Sequence, residues 1–306
     1  LEVSVAVTLK QLEAFYWTAT LGGFGEAAER LNLAQSTVSK RLIELEDAVG
    51  ARLIERSTRS LKLTPAGVAG LPLAAEMLGL SLRFREAAGG SASFEGPFRF
   101  GVTELVALTW LPSLVLAMTS QYPKLVPVPE VAASGELFAK LKASEIDLVI
   151  GLDPPDDADI TALPLASVRL EWMCAPSLGL AGETICLAEL AEYPILTQSK
   201  GSGLQRLVLD WAKTNGLRAK QTVECNSLAV LAGLAAAGIG ITFLTADYFE
   251  PERAAGLLRV VTTDPPLPAI QYFAATRSQD YSFLCARIAG LAQETCDFTR
   301  RSLPKR

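Results

Sequence analysis

Six residues near the N-terminus, Gln35, Ser36, Thr37, Ser39, Lys40 and Arg41, put amide, hydroxyl and cationic groups on one short stretch of chain. Side chains of these types can hydrogen-bond base edges and phosphate oxygens. Shortly after them, Arg52, Arg56, Arg59 and Lys62 stand against one acid, Glu55. Such a local cationic spot is a usable phosphate contact even on an acidic protein. The chemistry on offer is recognition of a nucleic acid, in which hydroxyls and amides read and cations hold.

Those groups need a rigid element to present them. Val38, Leu42, Leu45 and Val49 recur at steps of 4, 3 and 4, which predicts a helix over Gln35–Val49 with the polar set on its outward face. Leu9, Leu12, Phe15, Tyr16 and Ala19 predict an earlier helix that Gly22-Gly23 ends, and Gly25–Leu31 a short second one. The turn Asn32-Leu33-Ala34 before the last helix completes a helix-turn-helix, whose final helix can lie in the DNA major groove. The plainer alternative makes Ser36 or Thr37 a helix cap and Lys40-Arg41 a solvated face. Residues 52–63 read as a basic hairpin or wing, with Arg56 and Arg59 its phosphate or minor-groove contacts.

Thr64-Pro65 then opens a helix running to about Ala88. Leu71, Ala75, Leu78 and Leu82 step along it by 4, 3 and 4, a seam expected to pair with a second copy; docking onto the chain's own domain is the alternative. Gly89-Gly90-Ser91-Ala92-Ser93 breaks the helix at a hinge. From Glu95 onward strands and helices alternate: Phe98–Val102, Leu108–Gln121, Leu125–Val131, Glu136–Ala143, Ile146–Gly151, and a second set from Val168 to about Leu267. Repeated strand-helix-strand units predict an α/β fold with mainly parallel sheets and helices on both faces. Pro164 and Pro265-Pro266-Leu267-Pro268 are expected crossovers between two lobes enclosing a small-molecule cleft. The expected domains are 1–65 for DNA binding, 66–94 for the linker helix and hinge, and 95–306 for effector binding. Within the last, lobe I comprises 95–166 and 268–300, and lobe II 167–267.

Composition narrows the function. The 306 residues carry 28 Lys+Arg against 33 Asp+Glu, a formal charge of -5, yet residues 1–65 hold 8 of each, so the excess acid lies further on. There is no histidine, which excludes His-dependent triads and His-containing metal sites, and the carboxylates form no recognisable acid/base pair; no enzyme, cofactor or metal is expected. Cys174, Cys186, Cys225, Cys285 and Cys296 are odd in number and show no C-x-x-C spacing, so neither a disulfide framework nor a zinc site is expected. Residues 1–10 lack the basic start and apolar run of a secretory signal, and a cytoplasmic location is expected. The uncharged run Asn226–Ala246 is long enough to span a membrane. Gly238 and Gly240 divide it into a buried helix, a turn and a buried strand.

The segment AAERLNLAQSTVSKRLIELEDAVGARLIERSTRSLKLTPAG, Ala27–Gly67, resembles the LysR-type family of bacterial transcriptional regulators. Its second half follows the family pattern L-x-E-R-x-x-R-x-L-x-L-T-x-A-G over Leu53–Gly67, except that Ile54 replaces the usual aromatic. Gln121-Tyr122-Pro123, Ile146-Asp147-Leu148, Tyr193-Pro194-Ile195 and Ala237-Gly238-Ile239-Gly240 keep the family order further on. The resemblance implies a winged helix-turn-helix, a long linker helix and a two-lobed effector domain like that of periplasmic binding proteins. It places Gln35, Ser36, Thr37, Ser39 and Lys40 on recognition-helix contacts, and Arg56 and Arg59 on the wing. The cleft would be lined by Thr103, Glu104, Leu105, Ser134, Thr197, Gln198, Ser199 and Phe243.

Implied partners are operator DNA, a small-molecule effector, commonly an organic acid, RNA polymerase, and further copies of the chain as homodimer or homotetramer. Glu104 departs from the small or hydroxyl residue usual at its place; a carboxylate there would repel an acidic effector unless Lys200 or Arg206 compensates. Peroxide-sensing members use a cysteine pair in the second lobe, which Cys186 and Cys225 flank without matching, so redox sensing is an alternative. A binding protein without ligand-controlled transcription is another.

Overall fold

The computed structural model describes residues 6–56, 61–87, 94–180, 184–278, 283–299 and 301. The side chains of Arg56 and Leu82, all of Arg59, and the expected hinge at 89–93 lie outside the described residues.

The chain opens with three helices, α1 (Leu9–Leu21), α2 (Phe24–Leu31) and α3 (Gln35–Val49). Thr8 starts α1 with a capping box: its hydroxyl accepts the Gln11 N–H, and the Gln11 side chain accepts the Thr8 N–H. Asn32, in the left-handed region at φ 50°, ends α2 and turns the chain toward α3. Ala14, Ala27, Ala28 and Val38 are buried together, and their small volumes let the three helices approach closely. Leu12, Phe15, Leu42, Leu45, Leu53, Ile54 and Ala74 form the second cluster, beneath the antiparallel hairpin of β1 (Ile54–Arg56) and β2 (Leu61–Leu63). Ile54 is 3% exposed, so the wing tolerates an aliphatic side chain by burying it.

Helix α4 (Pro65–Ala87) follows; the Thr64 hydroxyl caps its first turn by accepting the Gly67 N–H at 3.0 Å. Gly67 is required by contact, since a Cβ there would lie 2.0 Å from the Leu53 carbonyl oxygen. The expected dimer seam is corrected here. Leu71 and Leu78 pack against the chain's own N-terminal core and Ala75 is buried, because α4 lies on α1. Leu73, Met77, Leu80 and Phe84, again at steps of 4, 3 and 4, form the apolar stripe left exposed.

The remainder builds two sheets. Its elements are β3 (Gly96–Val102), α5 (Glu104–Leu108), α6 (Leu111–Gln121), β4 (Leu125–Val131), α7 (Ser134–Lys142), β5 (Leu148–Leu152), β6 (Ile160–Val168) and β7 (Leu170–Cys174). There follow β8 (Thr184–Cys186), α8 (Leu187–Leu190), β9 (Ile195–Thr197), α9 (Gly203–Thr214), β10 (Thr222–Glu224), α10 (Leu228–Ala236) and β11 (Ile241–Thr245). The last elements are α11 (Glu250–Ala254), β12 (Arg259–Asp264), β13 (Ile270–Arg277) and α12 (Phe283–Thr295). Lobe I is the sheet β4-β3-β5-β13-β6 and lobe II the sheet β10-β9-β11-β7-β12-β8. The chain crosses between them at Arg169 and again between Asp264 and Ile270.

Both sheets are mainly parallel, as expected, with a single reversed strand in each. β13 runs antiparallel to β5 and β6, and β7 antiparallel to β11 and β12; each is the strand by which the chain enters its lobe after a crossing. The expected helix over Leu108–Gln121 is α6, which starts at Leu111 with Pro112 in its first turn, and the short α5 precedes it. The run Asn226–Ala246 becomes α10, a left-handed turn at Gly238 and β11, whose five residues are all buried. Among the described residues no helix is long and apolar enough to cross a membrane.

Candidate functional sites

The first site is the exposed end of α3. Val38, Leu42 and Leu45 are at most 1% exposed and pin the helix, leaving Gln35, Ser36 and Lys40 in solvent and Thr37, Ser39 and Arg41 half-buried. The residue before the helix is Ala34, and no side chain caps the first turn. Ser36 and Thr37 are therefore not caps, and the positive helix end faces outward beside Gln35 and Ser36. Lys40 stands 3.8 Å from Glu44 on the same face; an exposed pair of that kind holds the cation only weakly.

The wing's position relative to α3 depends on Glu46, a residue that sequence reading did not single out. Its carboxylate is 4% exposed and accepts N–H bonds from Leu53 at 2.8 Å and Ile54 at 3.2 Å, with Arg52 at 2.9 Å on the other oxygen. The signal was available: Glu46 follows Leu42 by four residues and so falls on the apolar face. Arg52 is thereby spoken for by Glu46.

The second site is a cavity of about 510 Å³ between the lobes. Thr103, Glu104, Leu105, Ser134, Gln198 and Ser199 line it. Thr197 and Phe243 do not, which corrects the expected lining. Thr197 is 2% exposed, and Phe243 turns into lobe II to meet Trp172 edge-to-face at 5.6 Å. Lys200, expected near Glu104, also lines the cavity; Glu130, Glu136, Asn226, Leu228 and Tyr272 line it too and were missed, because they come from elements far apart in sequence. Tyr272 is 2% exposed, its hydroxyl 3.5 Å from that of Thr103; burial pushes its phenol well above the ordinary range, so it stays protonated. Lys140 binds Glu130 and Glu136, and those two carboxylates raise its pKa.

Three bridges join the lobes at this cavity. Glu104 of lobe I accepts the Ser227 hydroxyl at 2.8 Å and the Leu228 N–H at 2.6 Å. Gly135 donates its N–H to the Gly201 carbonyl at 3.1 Å, and Arg206 pairs with Asp153. Arg206 thus neutralises Asp153 and not Glu104. A Cβ at Gly135 would lie 3.0 Å from the Gly201 oxygen, so a side chain here would push this bridge apart by a few tenths of an ångström.

The cysteines are dispersed. Cys186 ends β8 and Cys225 follows β10, strands at opposite edges of the six-stranded sheet. Five strand spacings of about 4.8 Å separate them by roughly 24 Å, far beyond the ~7 Å limit on Cα separation in a disulfide. Burial raises the thiol pKa of Cys174, and pushes that of Cys296 up to about 11, which suppresses the reactive thiolate.

Comparison with known proteins bears on both sites. Residues 9–68 match the family model described as "Bacterial regulatory helix-turn-helix protein, lysR family", and residues 91–295 that described as "LysR substrate binding domain". The chain is 30% identical over 251 residues to the HTH-type transcriptional regulator BbuR of Bordetella bronchiseptica, covering 81% of this chain and 77% of that one. It is 28% identical over 293 residues to a probable hydrogen peroxide-inducible genes activator of Mycobacterium avium, covering 94% of each. Among solved structures, the Corynebacterium glutamicum OxyR C206 mutant superposes with a TM-score of 0.57 at 25% identity, covering 96% of this chain and 95% of that one.

Proposed function

The chain belongs to the LysR family of bacterial transcriptional regulators, and on that premise we propose that a small molecule held between its lobes sets its grip on operator DNA. It is a LysR-type regulator with an N-terminal helix-turn-helix and a C-terminal effector-binding domain. The reading rests on one observation above all: a solvent-facing recognition helix and a polar interlobe cavity of about 510 Å³ lie on the same chain. Gln35, Ser36, Thr37, Ser39, Lys40 and Arg41 then address the groove, with Arg56 and Arg59 on the flanking backbone. The protein acts in the cytoplasm without catalysis, cofactor or metal, and reaches transcription through RNA polymerase.

The test uses the full chain. DNA fragments selected from a random pool define the preferred site, and small metabolites are screened for a rise in thermal midpoint, since a ligand of the native state stabilises it by mass action. A ligand that raises the midpoint and also changes affinity for the selected site supports the reading; ligands that raise the midpoint without touching DNA affinity count against it. Gln35→Ala is expected to reduce preference for the selected site over random DNA by about 1–3 kcal/mol, the worth of one good base contact. An unchanged preference ratio in a competition assay would remove Gln35 from the groove.

Self-association is assigned to Leu73, Met77, Leu80 and Phe84, whose 4-3-4 spacing follows one face of α4. Leu80→Asp is expected to convert the assembly to monomers in light scattering while the chain stays folded. Leu78→Asp is expected to lower the thermal midpoint instead, because Leu78 packs on the N-terminal core. Were Leu78→Asp to dissociate a fully stable chain, the two faces would have to be exchanged. A second reading, redox sensing, is favoured by the name of the Mycobacterium avium relative and opposed by the separation of Cys186 from Cys225 across the sheet.

A further inference from the structure

Glu104 begins in lobe I and ends in lobe II. It is the first residue of α5, at the end of β3, and Thr103, Glu104 and Leu105 together line one wall of the cavity. Its carboxylate crosses to the start of α10, where Oε1 accepts the Ser227 hydroxyl at 2.8 Å and Oε2 accepts the Leu228 N–H at 2.6 Å. Ser227 also caps that helix in the ordinary way, accepting the Val230 N–H at 3.4 Å. Asn226 and Leu228, on either side of this contact, line the opposite wall. The positive end of a nine-residue helix, a natural seat for an anion, is thus filled by a carboxylate that the chain itself supplies.

We propose that Glu104 sets the charge specificity of the cleft: it is a tethered carboxylate in the seat where an acidic ligand would otherwise join the lobes, so the cleft rejects small carboxylates in favour of neutral or cationic ligands. Resting on the reading of the cavity as the effector site, this reverses the organic-acid expectation for this chain. Two effects act together. The Leu228 N–H and the Ser227 hydroxyl are already satisfied, so an incoming carboxylate gains no new donors there. It would also lie beside a like charge, with Arg206 committed to Asp153 on another part of the cleft. Lys200 lines the cavity, but on the Gln198–Ser199 side, and it has Glu130 and Glu136 in the same lining.

The test compares benzoate with benzamide, a neutral molecule of nearly the same shape, on the full-length chain by calorimetry and thermal shift. Wild type is expected to bind benzoate no better than benzamide. Glu104→Ser, which removes the charge and leaves the donors of Ser227 and Leu228 open, is expected to bind benzoate at least tenfold more tightly than wild type, with no matching gain for benzamide. Glu104→Gln still fills the seat with an amide oxygen and is expected to gain less. Equal benzoate affinity in wild type and a cooperatively folded Glu104→Ser overturns the proposal, as does an equal gain for benzamide. If Glu104→Ser unfolds without a cooperative transition, Glu104→Gln decides: benzoate binding no tighter than wild type's overturns it. Benzoate binding gained by Glu104→Ser without any change in DNA affinity upholds the role of Glu104 and counts instead against the cavity as the regulatory site.

Discussion

Glu46→Ala is expected to destabilise the N-terminal domain by about 3–5 kcal/mol and to abolish DNA binding, while Glu46→Gln retains most of both. The alanine variant strands the buried N–H groups of Leu53 and Ile54, at roughly 1–3 kcal/mol each, and opens a void under the hairpin. Glutamine keeps an oxygen for those amides and gives up the contact to Arg52, whose side chain is 68% exposed and adds little. A loss of this size is a large fraction of the ~5–15 kcal/mol that holds a domain folded. Denaturant titration of the full chain, followed through Trp17, measures it. A loss under ~1 kcal/mol for Glu46→Ala would mean that β1 finds other acceptors and that Glu46 does not hold the wing to α3.

The second large effect is expected at Asp147, where the DNA-binding helices meet lobe I. Arg30 of α2 places its guanidinium 4.5 Å over the Trp17 ring, donates to the Pro97 carbonyl, and reaches Asp147 at 3.2 Å. Asp147 also accepts the Arg99 N–H at 3.0 Å, which ties it to β3. The side chains of Arg30 and Asp147 are 15% and 11% exposed, so the pair is only slightly screened by water. Asp147→Ala leaves a largely buried cation without its counter-charge and is expected to cost about 3–5 kcal/mol. Asp147→Asn, which can still accept from Arg99, costs less. In a double-mutant cycle with Arg30→Met the coupling is expected to be about 1–3 kcal/mol. Independent, additive losses would show that the ion pair does not join the two domains.

Much of the DNA-facing half could be read locally. Periodicity located α3, and the turn, the wing and the split of Asn226–Ala246 into helix and strand followed from short-range patterns. The cleft was legible only in part. Thr103, Glu104, Leu105, Ser134, Gln198 and Ser199 lie at element ends that a family motif can locate, and they do line the cavity. Glu130, Asn226 and Tyr272 are brought to it by strand order, a non-local property. Phe243 fell outside because strand side chains alternate between faces, and its face was taken by Trp172.

The sequence by itself determined that the chain carries three helices and a hairpin ahead of a long helix, followed by a two-lobed α/β body, since hydrophobic periods and turn residues act over a few positions. Only the tertiary structure decided which 4-3-4 stripe of α4 is buried, for Leu71 and Leu73 begin stripes of equal spacing, and contact with Leu12 and Phe15 selects one. It alone decided what Glu104 does: a carboxylate's role depends on its partner, and Ser227 and Leu228 are more than 120 residues away in the chain and within 3 Å in space.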